Sequence, residues 1–177
     1  MTRLLILSLT LFISGCASIP ISTMLTMSSF DAEDFIRIQP QELEAKIQVD
    51  DPVTISIDET RLALELDTQK GLLSYEFPLV LVEQVKIPAS PGFFSDDVAK
   101  TEYRLELSEQ GIEDFKAVKE VFQERQSGQL DFSVLTNIYE LPEDSETVRM
   151  SIFLQLFEDE GFFTLFYDAE IEIKYKD

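Results

Sequence analysis

The sequence predicts an α+β fold, mainly antiparallel β: a sandwich or a strongly curved sheet of about seven or eight strands, with one amphipathic helix packed on it. Three observations predict it. Apolar residues recur at every second position through much of residues 43–175, the period of strands with one buried face. Turn-forming clusters such as Asp50-Asp51-Pro52 and Glu158-Asp159-Glu160-Gly161 separate these runs. Only one segment of the body, after Ser108, changes clearly to the helical period.

The strands follow in order. Ala45, Ile47 and Val49 alternate with Glu44, Lys46 and Gln48. Past the turn at Asp50-Asp51-Pro52, Val53, Ile55 and Ile57 alternate with Thr54, Ser56 and Asp58. Leu62, Leu64 and Leu66 make a third set, ended by Asp67-Thr68-Gln69-Lys70-Gly71. Residues 72–87 are apolar on both faces around Leu79-Val80-Leu81-Val82, which predicts a central strand. Pro78 has no N–H to give to a ladder, so it marks a bulge or a strand start.

Residues 88–100 read as a loop carrying Pro88, Pro91 and Gly92, with Phe93-Phe94 and Asp96-Asp97 inside it. Alternation resumes through Tyr103, Leu105 and Leu107. Ser108 then caps a helix with Glu109 in its first turn. Ile112, Phe115, Val118, Val121 and Phe122 line one face of that helix, and Ser127-Gly128 ends it. Residues 130–141 read as a strand and Pro142-Glu143-Asp144-Ser145 as a turn. Residues 148–157 and 162–175 form a long hairpin, with Phe163, Leu165, Tyr167, Ala169, Ile171, Ile173 and Tyr175 sharing one face of its second arm.

The N-terminus has a different character. Arg3 supplies positive charge, and residues 4–13 are an apolar run of about ten, well short of the ~20 residues a membrane-spanning helix needs. Such a run suits the apolar core of an export signal. Ile13-Ser14-Gly15-Cys16 follows, with the chain's single cysteine at its end. This tetrad resembles the lipobox of bacterial lipoproteins: an aliphatic residue, two small residues and an obligatory Cys. The resemblance implies lipid attachment to Cys16, cleavage before it and acylation of the new amino group. Ala17 stands where an Asp would favour inner-membrane retention, which implies sorting to the periplasmic face of the outer membrane. Several acyl chains on one residue make a stable anchor where a single chain does not.

The chain therefore divides into a cleaved lipoprotein signal peptide (1–15), a short apolar membrane-proximal segment (16–30) and a single β-rich domain (31–177). Within the middle segment Ile19, Ile21, Met24, Leu25, Met27 and Phe30 keep the chain apolar, and Ser22 is placed to cap a short helix. That segment either lies at the lipid interface or packs on the domain's own core. In either case the body sits close to the bilayer. Ile21-Ser22-Thr23-Met24 and Gly161-Phe162-Phe163 are similar to segments of a family of short proteobacterial lipoproteins, which brings no activity with it.

Charge and composition exclude much chemistry. Loss of Arg3 with the signal takes the formal charge from −20 to −21. So many carboxylates repel phosphate backbones, which argues against nucleic-acid binding. There is no histidine, and the one cysteine is taken by lipid. Ser-His-Asp and Cys-His nucleophiles, histidine-bearing zinc sites and CxxC redox motifs are therefore out of reach. No Walker loop, GxGxxG or HExxH occurs. No catalytic, cofactor or metal site is expected.

Carboxylate pairs remain, as do oxygen-rich turns at Glu158-Asp159-Glu160 and Asp96-Asp97 that resemble no EF-hand loop. Solvated turns explain them better. Phe93 and Phe94, outside any periodic segment, are the candidates for exposed membrane or protein contact. The leading expectation is a non-enzymatic scaffold or binding module with an envelope protein partner, held by the lipid on Cys16. The alternatives are a carrier of an apolar ligand or lipid in a groove under a curved sheet, and a carboxylate-dependent glycan hydrolase.

Overall fold

A computed structural model describes residues 19–68, 71–90, 98–125, 129–139 and 147–172. Two short helices come first, α1 (Ile21–Ser29) and α2 (Ala32–Arg37), then a 3-10 turn at Pro40–Glu42. Strands β1 (Glu44–Asp50), β2 (Thr54–Ile55), β3 (Arg61–Thr68), β4 (Gly71–Ile87) and β5 (Lys100–Leu107) lead to helix α3 (Glu109–Arg125). Strands β6 (Gln129–Leu135), β7 (Ile138–Tyr139), β8 (Thr147–Gln155) and β9 (Phe163–Glu172) complete the order.

The expected class holds in its curved-sheet form. Seven strands make one strongly curved, nearly closed antiparallel sheet in the order β6-β3-β4-β5-β1-β8-β9, and β2 pairs with β7 in a two-residue ladder. β1 shows why the alternating sequences fold this way. Ala45, Ile47 and Val49 point inward and are buried, with Ile47 level with Tyr103 on β5 and Ile152 on β8. Each fully buried Ile or Leu of this kind contributes about 1.5–3 kcal/mol by leaving water. On the outer face Arg104 donates to both carboxylate oxygens of Glu44 at 2.6 and 2.7 Å, a diagonal cross-strand pair.

The inner faces meet in one contiguous core that includes Leu62, Leu64 and Leu66 of β3 and Phe132 of β6. α3 packs against β4 and the 3-10 turn, and α2 packs on α3. α2 and α3 meet the sheet through rings. Phe35 of α2 lies 5.5 Å from Phe115 and 4.8 Å from Phe122, and Phe115 lies 5.0 Å from Phe77 on β4. Ser108 caps α3 as expected, accepting from the Gly111 N–H at 3.0 Å.

Several expectations need correction. α1 starts at Ile21 after Pro20, so Ser22 lies inside the helix rather than capping it. α2 was not anticipated, although Asp31 and Asp34 form a reciprocal capping box at its start. Val121 is exposed, because α3 turns only the side carrying Phe115, Val118 and Phe122 inward. The strand expected over 130–141 breaks at Thr136-Asn137 into β6 and β7. On β9 the shared face fails at a bulge: Asp168 adopts φ +51°, the register to β8 shifts, and Tyr167 is 57% exposed while Leu165 is buried.

β4 is central in strand order but shared lengthwise. It pairs with β3 only over Gly71–Pro78 and with β5 only over Leu79–Ile87. Beyond Pro78 no described strand covers its far edge, and Val80, Leu81, Val82 and Val85 are between 39% and 45% exposed. The apolar run that looks like a doubly covered strand is thus largely at the surface. The signal peptide, Cys16, Phe93-Phe94, Asp96-Asp97, Ser127-Gly128, the turn at 142–145 and the end of the last arm lie outside the described residues.

Candidate functional site

A nearly closed sheet has two free edges, and here they are β6 and β9. α1 sits between them. Thr23 donates its hydroxyl proton to the Thr164 carbonyl on β9, and Phe30, just past the helix, packs edge-on against Phe132 of β6 at 5.9 Å. A free strand edge invites pairing with another chain, and covering it removes that hazard. Thr23 is buried and Met27 packs on the core, whereas Ile21 is 75% and Met24 54% exposed. One face of α1 therefore seals the seam and the opposite face is apolar and open. Of the two expectations for this segment, packing on the domain's own core describes the inner face.

Alongside α1 the seam leaves a groove of about 360 Å³, lined mainly by Ile19, Met24, Met27, Phe132, Leu165 and Phe166. Thr23, Ser133 and Asp131 supply its polar atoms. Methionine adapts its shape more readily than branched residues, so Met24 and Met27 make a compliant wall. The groove's size is that of a small-ligand site.

A second constellation gathers charge at the end of β1. Asp50 lies opposite Lys100 in the β1–β5 register, with Lys100 Nζ at 3.8 Å from Asp50 and 3.5 Å from Asp168. Arg149 stands 3.7 Å from Asp168. One Asp50 oxygen is buried with no hydrogen-bond partner. Burial raises the Asp50 carboxyl above its ordinary range despite the attraction of Lys100 and Arg149. Asp51 beside it is held low by hydrogen bonds from Lys86 and Thr101, both at 2.7 Å.

Neighbouring carboxyls pushed apart in this way match the demands of acid–base catalysis. Both line an open cleft of about 280 Å³ with Arg149 and Glu170. Within it Asp51 Oδ1 is already taken by Lys86 and Thr101, and Asp50 Oδ1, 3.8 Å from Lys100 Nζ, is buried without a hydrogen bond. The cluster works as a strut that ties β1, β5, β8 and β9 together. Among the described residues no group of three or more Asp or Glu is placed to hold a metal ion. Glu158, Asp159 and Glu160 are exposed around the turn at Gly161, whose φ is +70°.

The sequence signals reach this site unevenly. Apolar residues at 19–30 announce a buried or interfacial segment, but not that it closes a seam between β6 and β9, strands that begin only at Gln129 and Phe163. No described helix is long and apolar enough to cross a membrane. No family model, no curated protein and no solved structure matches the chain.

Proposed function

We propose that the chain is a lipid-anchored envelope protein, a non-enzymatic binding module held by acyl chains on Cys16 at the periplasmic face of the outer membrane. The observation that carries this reading is the position of α1. It begins five residues after Cys16 and is already packed into the body. Five residues span at most about 18 Å, so the anchor leaves no room for a stalk. Ile21 and Met24, near the N-terminal end of α1, are exposed. The edge of β4 beyond Pro78, which no described strand covers, supports binding of an extended apolar segment from a partner by strand addition.

Photo-crosslinking from Val82 in native membranes tests the reading. A single protein adduct that fractionates with the outer membrane supports it. Recovery of the chain in the soluble fraction, or the absence of any protein adduct, contradicts it. The seam groove favours one other reading, a carrier of an apolar ligand. That reading predicts lipid co-purifying in stoichiometric amount with the body.

A further inference from the structure

The groove beside α1 is open, apolar and close to the N-terminal side of the body. Ile19 forms part of its wall, and Ile19 is three residues from Cys16. Three residues reach at most about 11 Å, so any chain attached to Cys16 starts within reach of the groove. We propose that the groove is an acyl-chain site, and that its occupant is one of the fatty chains carried by Cys16 itself. This rests on the lipid-anchor reading.

Two features select that occupant over a lipid from the surroundings. Asp131 lines the groove beside Ser133, and a carboxylate there repels the ionised head of a free fatty acid or the phosphate of a phospholipid. A chain linked to Cys16 through ester or amide bonds brings no negative head group. Covalent attachment also gives the chain a high local concentration next to the groove, whereas a free lipid must be captured from solution or bilayer. Moving one chain from the bilayer to an apolar groove exchanges one dry environment for another, and the remaining chains keep the protein anchored. One chain on the body's flank also holds α1 and the seam against the membrane surface.

The test uses the native lipoprotein in nanodiscs of neutral phospholipid, with benzoylphenylalanine in place of Phe166. Trypsin cuts after Arg149 and Arg37, so residue 166 and Cys16 fall in different peptides. Irradiation is expected to join residue 166 to an acyl chain of the Cys16–Arg37 peptide, with fragmentation placing the link on the chain; adducts only to Met24 or Met27, which share both that peptide and the groove wall, overturn the proposal. In parallel, the unacylated mature chain is expected to bind a fluorescent monoacylglycerol at one site, at least tenfold tighter than the matching fatty acid, and D131N removes that preference. Adducts to nanodisc phospholipid alone, or no adduct, overturn the proposal while leaving the anchor in place. A Cys16 peptide without acyl groups overturns both.

Discussion

Thr23, in the first turn of α1, donates to the main-chain carbonyl of Thr164 on β9, a residue 141 positions further along the chain. Among the described residues few hydrogen bonds join parts so distant in sequence, and this one sits where the sheet fails to close. Thr23→Val keeps the side-chain shape and deletes the donor, leaving a β9 carbonyl unpaired beneath α1. The expected cost is about 1–3 kcal/mol, read from urea denaturation. Amide exchange is expected to accelerate in α1 and β9 and to stay unchanged in β3.

Phe115 is the ring on which α2, α3 and β4 converge, with Phe35 and Phe77 at 5.5 and 5.0 Å. Phe115→Ala is expected to destabilise by about 3–5 kcal/mol, a large part of the roughly 5–15 kcal/mol of a typical domain. Val121→Ala, on the exposed side of the same helix, is expected to change stability by less than about 0.5 kcal/mol. Comparable losses from the two substitutions would contradict the placement of α3.

Gly111 sets two effects against each other. Alanine is favoured over glycine inside a helix by about 1 kcal/mol. A Cβ at this position would stand 2.7 Å from the Pro78 carbonyl oxygen, a backbone atom that also accepts the Ser108 N–H at 2.9 Å. That crowding has no flexible side chain to relieve it, and overpacking of this kind costs about 1–3 kcal/mol. Gly111→Ala is therefore expected to lower the thermal midpoint, against the direction that helix propensity alone gives.

Asp50 and Asp51 make opposite contributions to the pH dependence of stability. A carboxyl raised by burial keeps its proton longer in the folded state, so stability falls as pH rises from its unfolded value near about 3.9 through its folded one. A carboxyl lowered by hydrogen bonds from Lys86 and Thr101 stabilises above the unfolded value, and that contribution is lost as pH falls through the folded one. Relative to wild type, Asp50→Asn is expected to gain stability between about pH 3 and pH 6, and Asp51→Asn to lose it. Denaturation curves at the two ends of that range check both signs. Parallel trends would contradict the assignment.

Much of the fold is readable in alternation because the curved sheet has one dry face. Ala45, Ile47 and Val49, then Leu62, Leu64 and Leu66, then Tyr103, Leu105 and Leu107, are all buried where period two places them. Pattern alone does not say which neighbour covers a strand. That is why residues 79–87 look doubly buried yet lose their second neighbour when β3 starts only at Arg61, opposite Pro78. A local reading is equally blind to the bulge at Asp168, since the backbone reversal there comes from pairing with β8. The candidate site was half legible. Apolar content marked residues 19–30, but the seam they fill exists only once β6 and β9 have been brought together by the closing sheet.

The measurement that bears most directly on this account is the intact mass of the chain extracted from membranes. The expected species is a polypeptide that begins at Cys16 and carries a diacylglyceryl group and an N-acyl chain. A polypeptide that retains residues 1–15 and a free thiol would contradict it.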